Sequence, residues 1–134
     1  MNSRNEIEQT LREVYAARKR GDLDGLGRVF APNARFQLAG SNASPVATKV
    51  AGAEQYRPLL AGMIKTFELL DYTIVTMLID GNAAAVHWRA KFRSNINGQT
   101  VETDLFDLVE LEDGRVTSFL EFCDTALAAR LMQQ

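Results

Sequence analysis

YTIVTMLIDGNAAAVHWRAKFRSNINGQTVETDLFDLVELEDGRVTSFLEFC, residues 72–123, decides the fold. Three turn signals divide it: Asp80-Gly81-Asn82, Asn97-Gly98 and Asp113-Gly114. Such dipeptides reach positive φ at low cost and join antiparallel strands into hairpins. The runs between them predict strands over residues 72–79, 83–94, 99–111 and 115–123. In the second run His87, Arg89, Lys91 and Arg93 alternate with Val86, Trp88, Ala90 and Phe92, the period of a strand with two unlike faces.

Upstream the apolar period changes. Ser3-Arg4-Asn5-Glu6 reads as a capping box, and Ile7, Leu11, Val14 and Tyr15, then Arg18, follow helical spacing to about Lys19. Gly21 ends that helix, and Asp22 caps a short second one carrying Leu23, Leu26, Val29 and Phe30. Pro32-Asn33 stops it, and residues 34–38 form a short extended run. Gly40, Ser41, Asn42, Ser44 and Pro45 make residues 39–50 a loop by composition. Gly52-Ala53-Glu54 opens a third helix, whose apolar face of Tyr56, Leu59, Leu60, Met63, Ile64 and Phe67 continues until the pattern changes after Leu70. Residues 126–132 form a short helix or turn. The order is α-α-β-α-β-β-β-β, without repeat or interior linker, which predicts one α+β domain over residues 1–134.

The 134 residues are 46% hydrophobic and 24% charged, ordinary for a soluble domain. Fifteen Lys and Arg against 17 Asp and Glu leave a net charge of -2, without the basic stripe of a nucleic-acid binder. The single cysteine, Cys123, excludes an internal disulfide, and with one histidine a Cys/His zinc site cannot form. No phosphate loop, dinucleotide fingerprint or carboxylate-rich metal loop is present, so no cofactor and no metal are expected. The longest apolar runs, such as residues 74–79, fall far short of the roughly 18 residues of a membrane span. The N-terminal residues carry no leader signature, so the expected location is cytoplasmic.

The element order resembles the nuclear-transport-factor-2-like cone. Tyr15-Ala16-Ala17, Gly21-Asp22-Leu23-Asp24-Gly25 and Phe30-Ala31 resemble the opening of ketosteroid isomerases and SnoaL-like polyketide cyclases. Val86-His87-Trp88-Arg89, Asp107-Leu108, Asp113-Gly114-Arg115-Val116 and Glu121-Phe122-Cys123-Asp124 are similar to SnoaL-like proteins and limonene epoxide hydrolases. The resemblance implies three helices packed on a strongly curved antiparallel sheet, a pocket inside the cone, and a homodimer through the sheet's outer face. It does not imply one chemistry, because the cone hosts isomerases, cyclases, hydrolases and non-enzymatic binders.

The resemblance also assigns positions. For the isomerase route, which uses a carboxylate base with a tyrosine and a protonated acid as oxyanion hole, the base falls on Leu38, the tyrosine on Val14 beside Tyr15, and the second acid on Asp107. For the epoxide hydrolase route, Arg89 matches the arginine and Glu121 one carboxylate. Lys91 stands at the other carboxylate, and Phe36 and Leu38 stand where the water-holding groups belong. Both familiar routes therefore lack parts.

What remains is Arg89, Asp107 and Glu121 on neighbouring strands, flanked by His87 and Lys91. One reading makes them a general acid/base site, with a carboxyl raised in pKa by an apolar pocket and Arg89 steadying negative charge. The other makes Arg89 and Glu121 a buried ion pair that fixes strand register. Tyr15 and Tyr56 offer phenols to a ligand, and Val14, Phe36, Leu38, Met63, Phe67 and Phe119 are the expected apolar lining. Cys123 reads as an inert thiol, and Arg18-Lys19-Arg20 as a complement to the helix dipole. The expected ligand is a small apolar, oxygen-bearing molecule. With Arg89 turned inward, Trp88, Phe92, Phe106, Leu108, Leu120 and Phe122 would point outward, a patch that a two-fold partner would cover.

Overall fold

A computed structural model describes residues 3–134. The elements run α1 (Arg4–Arg20), α2 (Leu23–Val29), β1 (Phe30–Leu38), β2 (Thr48–Ala51), α3 (Ala53–Thr66), β3 (Phe67–Asp80), β4 (Ala83–Ser94), β5 (Thr100–Glu112), β6 (Arg115–Phe122) and α4 (Thr125–Leu131). Among the described residues four helices thus pack on one curved sheet of order β2-β1-β6-β5-β4-β3. No helix among the described residues is long and apolar enough to cross a membrane.

Local chemistry sets the ends of the helices. Ser3 Oγ accepts from the Glu6 amide at 3.1 Å, and Gly21 closes α1 at φ 68°, donating to the Ala17 and Arg18 carbonyls. Asp22 accepts from the Gly25 amide at 2.8 Å, and Asp124 caps α4 by accepting from Leu127 at 3.0 Å.

Three expectations need correction. The sheet is not wholly antiparallel, because β1 runs parallel to β6, with Phe36 beside Phe119 and Leu38 beside Glu121. The expected loop over 39–50 ends early, since residues 48–51 pair with β1 as an edge strand. The third helix stops at Thr66, and Phe67, Glu68 and Leu69 pair with Ser94, Arg93 and Phe92. In the last two cases a ladder formed with distant residues outweighs local composition and helical spacing.

The helices cover the sheet's inner face, where two aromatic groups form the core. Phe30, Phe36, Tyr56 and Phe119 pack with centroids 5.4–6.4 Å apart, and the Tyr56 hydroxyl donates to the Ala31 carbonyl at 3.1 Å. Tyr15, Tyr72, Trp88 and Phe92 form the second group, with Tyr15 and Trp88 at 4.9 Å.

Candidate functional site

Strand register settles which side chains face the helices. Cross-strand partners share a face, and β4 and β5 pair Val86 with Asp107, Trp88 with Leu105, and Arg89 with Asp104. Val86, Trp88, Ala90 and Phe92 therefore point inward, and Trp88 is wholly buried. Arg89 points outward with its side chain 55% exposed. The expected orientation of β4 is reversed, and the physical reason is burial. The apolar row offers far more transfer free energy to the core than a row of four basic and imidazole side chains. On β5 and β6 the expected orientation matches the structure, with Asp107 and Glu121 inside and Phe106, Leu108 and Phe122 exposed outside.

The cation beside the inner carboxylates comes from α1. Arg18 Nη1 donates to Glu121 Oε2 at 2.8 Å, with side chains only 12% and 3% exposed. Its guanidinium lies 5.2 Å from the centroid of the Trp88 ring, within cation–π range. Tyr15, one helical turn earlier, donates its hydroxyl to Asp107 Oδ2 at 2.7 Å. Asp107 and Glu121 stand directly opposite each other on β5 and β6. Asp107 Oδ1 and Trp88 Nε1 are both buried, without a hydrogen-bond partner among the described residues.

The electrostatics follow from this packing. Burial, then the facing Glu121 charge, raise the Asp107 carboxyl well above the usual carboxylate range, which favours its protonated form. Burial and the neighbouring Asp107 push the Tyr15 phenol up as well. Burial opposes the Arg18 charge, but Glu121 and Asp107 outweigh it and hold the guanidinium protonated. Arg18 and Glu121 therefore form one cation–anion pair, and the Asp107 carboxyl and Tyr15 phenol beside it are both pushed toward their neutral forms.

Above the cluster lies an apolar cavity of about 70 Å³. Arg18, Glu121 and Asp124 are its charged lining residues, and Leu38, Met63, Phe67, Phe92 and Leu105, with Leu127 and Leu131 of α4, its apolar walls. Of the expected lining, Leu38, Met63 and Phe67 border the cavity. Val14, Phe36, Tyr56 and Phe119 are core residues away from it, and Tyr15 and Asp107 lie behind its charged end. Cys123 lines the cavity, its thiol pushed up to about 11 by burial and by Glu121.

His87, Arg89 and Lys91 are not brought to this cavity. Asp104 on the outer face accepts from Arg89 Nε at 2.9 Å and lies 3.3 Å from His87 Nε2. These contacts hold its carboxyl below the usual range. Lys91 is exposed and pairs across the ladder with Glu102. The expected Arg89–Glu121 ion pair is replaced by Arg18–Glu121. The missed residue had a signal, for Arg18 continues the stripe of Ile7, Leu11, Val14 and Tyr15. A cation on a buried stripe requires an anion across the core. Among the described residues no group of His, Cys, Asp or Glu suits a metal ion.

Residues 11–119 match the profile of the SnoaL-like domain. No curated protein sequence matches the chain at a significant level. Solved structures share the fold. A protein provisionally named an isomerase, from Bacillus subtilis, superposes with TM-score 0.86 at 18% identity, covering 98% of this chain and 95% of its own. An NTF2-like protein from Burkholderia xenovorans LB400 gives 0.77 at 25% identity, covering 98% of each chain. An epoxide hydrolase of the limonene epoxide hydrolase type from M. tuberculosis gives 0.75 at 16%, covering 96% of this chain and 90% of its own.

Proposed function

The chain belongs to the SnoaL-like domain family, and from that premise we propose that it binds a small, neutral, oxygen-bearing apolar molecule and moves a proton on it without a cofactor. One observation carries the reading. Glu121 is a buried carboxylate on the wall of an apolar cavity, its countercharge Arg18 lines the same cavity, and a second buried carboxyl, Asp107, stands directly opposite it on β5. In this reading Glu121 is the base. A ligand oxygen that takes a donor from Arg18 loosens the Arg18–Glu121 pair and frees a Glu121 oxygen to take the proton as negative charge grows on the ligand. The raised pKa of Asp107, which accepts from Tyr15, favours its neutral form and so limits like-charge repulsion. The reaction is of isomerase, cyclase or hydrolase type.

A specific observation favours a second reading, a non-catalytic ligand-binding or accessory protein. Leu38, on the cavity wall, stands where the isomerase resemblance places the base, and the only wall carboxylate bonded within the cluster is already paired with Arg18. Thermal-shift screening of neutral carbonyl compounds, followed by recovery of the bound compound, separates the two. Rearranged or solvent-exchanged product supports proton chemistry. A ligand recovered unaltered supports the binding role.

The proposal extends to a homodimer. Phe106, Leu108 and Phe122 are 44%, 43% and 48% exposed on one outer face, and two-fold self-association lets one patch cover itself.

A further inference from the structure

The cavity is too small to be the whole site. Small-molecule sites commonly begin near ~300 Å³, and an apolar cavity of ~150 Å³ is needed to hold a benzene. At about 70 Å³ this one accepts a head group of a few heavy atoms. Beside it, on the surface between α3 and the 39–47 segment, runs an apolar groove of about 250 Å³. The two spaces share four lining residues, Leu38, Val46, Met63 and Phe67. That shared wall contains no charged group. Met63, unbranched and flexible, is the side chain best able to change rotamer and join the two spaces. Beyond the wall the groove continues over Pro45, Pro58, Leu59, Gly62 and Met132.

We infer that cavity and groove form one elongated site for a neutral amphipathic molecule, its carbonyl or hydroxyl head at Arg18–Glu121 and its hydrocarbon body crossing the Val46–Met63 wall into the groove. The inference rests on the proposed function for the head group and adds the class of ligand. Neutrality follows from the cavity wall, where the cation Arg18 is already paired with Glu121 and Asp124 adds a second carboxylate. A carboxylate head would add a further negative charge to a partly buried site whose cation is already taken. The tail class follows from the groove, whose only polar side chains are the hydroxyls of Thr48 and Thr66.

The test uses straight-chain methyl ketones from butanone to undecanone, with decanoate as the charged control. Quenching of the single tryptophan, Trp88, reports occupancy beside Arg18. Affinity should rise by about fourfold per methylene once the chain crosses the wall, with decanoate binding more weakly than a ketone of its length. Gly62 lines the groove but not the cavity, and a Cβ there meets nothing within 4 Å. Gly62→Leu should therefore fold, leave butanone affinity unchanged and weaken undecanone at least tenfold. Flat affinity along the series, or Gly62→Leu without effect on undecanone, overturns the elongated site while leaving the head-group reading intact. If even butanone fails to bind, the head-group reading falls and this inference with it.

Discussion

Arg18 on α1 and Glu121 on β6, separated by 103 positions in sequence, meet at 2.8 Å against the face of Trp88. The pair ties the first helix to the middle of the sheet and also forms the charged end of the cavity. Those two roles make opposite demands on substitution. Removing one partner strands a buried charge, whereas removing both leaves only a change of volume.

Arg18→Met should accordingly destabilise the fold by about 3–5 kcal/mol, while Arg18→Met combined with Glu121→Leu should recover most of that loss. Urea denaturation of the two variants and the parent measures both quantities. A double variant as unstable as Arg18→Met alone would show that the pair matters through packing and not through charge.

Asp107 gives the protein a pH dependence of definite sign. Its folded pKa is raised from 3.8, so between pH 3.8 and the folded value the native state holds a proton that the unfolded state has released. Stability therefore falls as pH rises through that window. Asp107→Asn removes the contribution, and its stability relative to the parent should improve with pH by up to about 1.4 kcal/mol per unit. Denaturation curves collected from pH 4 to pH 8 check this. Parallel profiles for the two proteins would contradict it.

Tyr15→Phe removes the phenol that donates to Asp107 Oδ2, beside an Oδ1 that already lacks a partner among the described residues. The expected loss is about 1–3 kcal/mol at neutral pH. A thermal or urea midpoint equal to the parent's would mean that a water molecule or a shift of α1 replaces the phenol.

Phe106→Glu tests the proposed dimer. Light scattering at micromolar concentration should give twice the chain mass for the parent and a single chain mass for the variant. A monomeric parent would show that the exposed apolar face is left in water.

Several elements are legible from a single local pattern. The stripe from Ile7 to Tyr15 and the turns at Asp80-Gly81, Asn97-Gly98 and Asp113-Gly114 marked α1 and the meander, and the parity of β5 and β6 placed Asp107 and Glu121 on one face. Arg89 and Trp88 show the limit. Alternation separates the two faces of β4 without saying which one meets the helices, and an opposite choice reverses every side chain on the strand. Only the register that pairs Val86 with Asp107 resolves it, and that register is a property of the assembled ladder. The closing helix was legible only as a short helix or turn, and its role was not. Leu127 and Leu131 acquire their place in the cavity lining from where the end of β6 delivers them.

The claim that Glu121 works as a base is tested most directly by hydrogen–deuterium exchange at the α-carbon of a bound neutral ketone in deuterium oxide, followed by proton NMR. The parent protein should accelerate exchange over buffer, and Glu121→Gln, retaining ketone affinity, should lose that acceleration by about 10²-fold or more. Equal exchange with parent, variant and buffer, under conditions where the ketone is bound, would contradict proton chemistry at this site and leave the cavity a binding pocket alone.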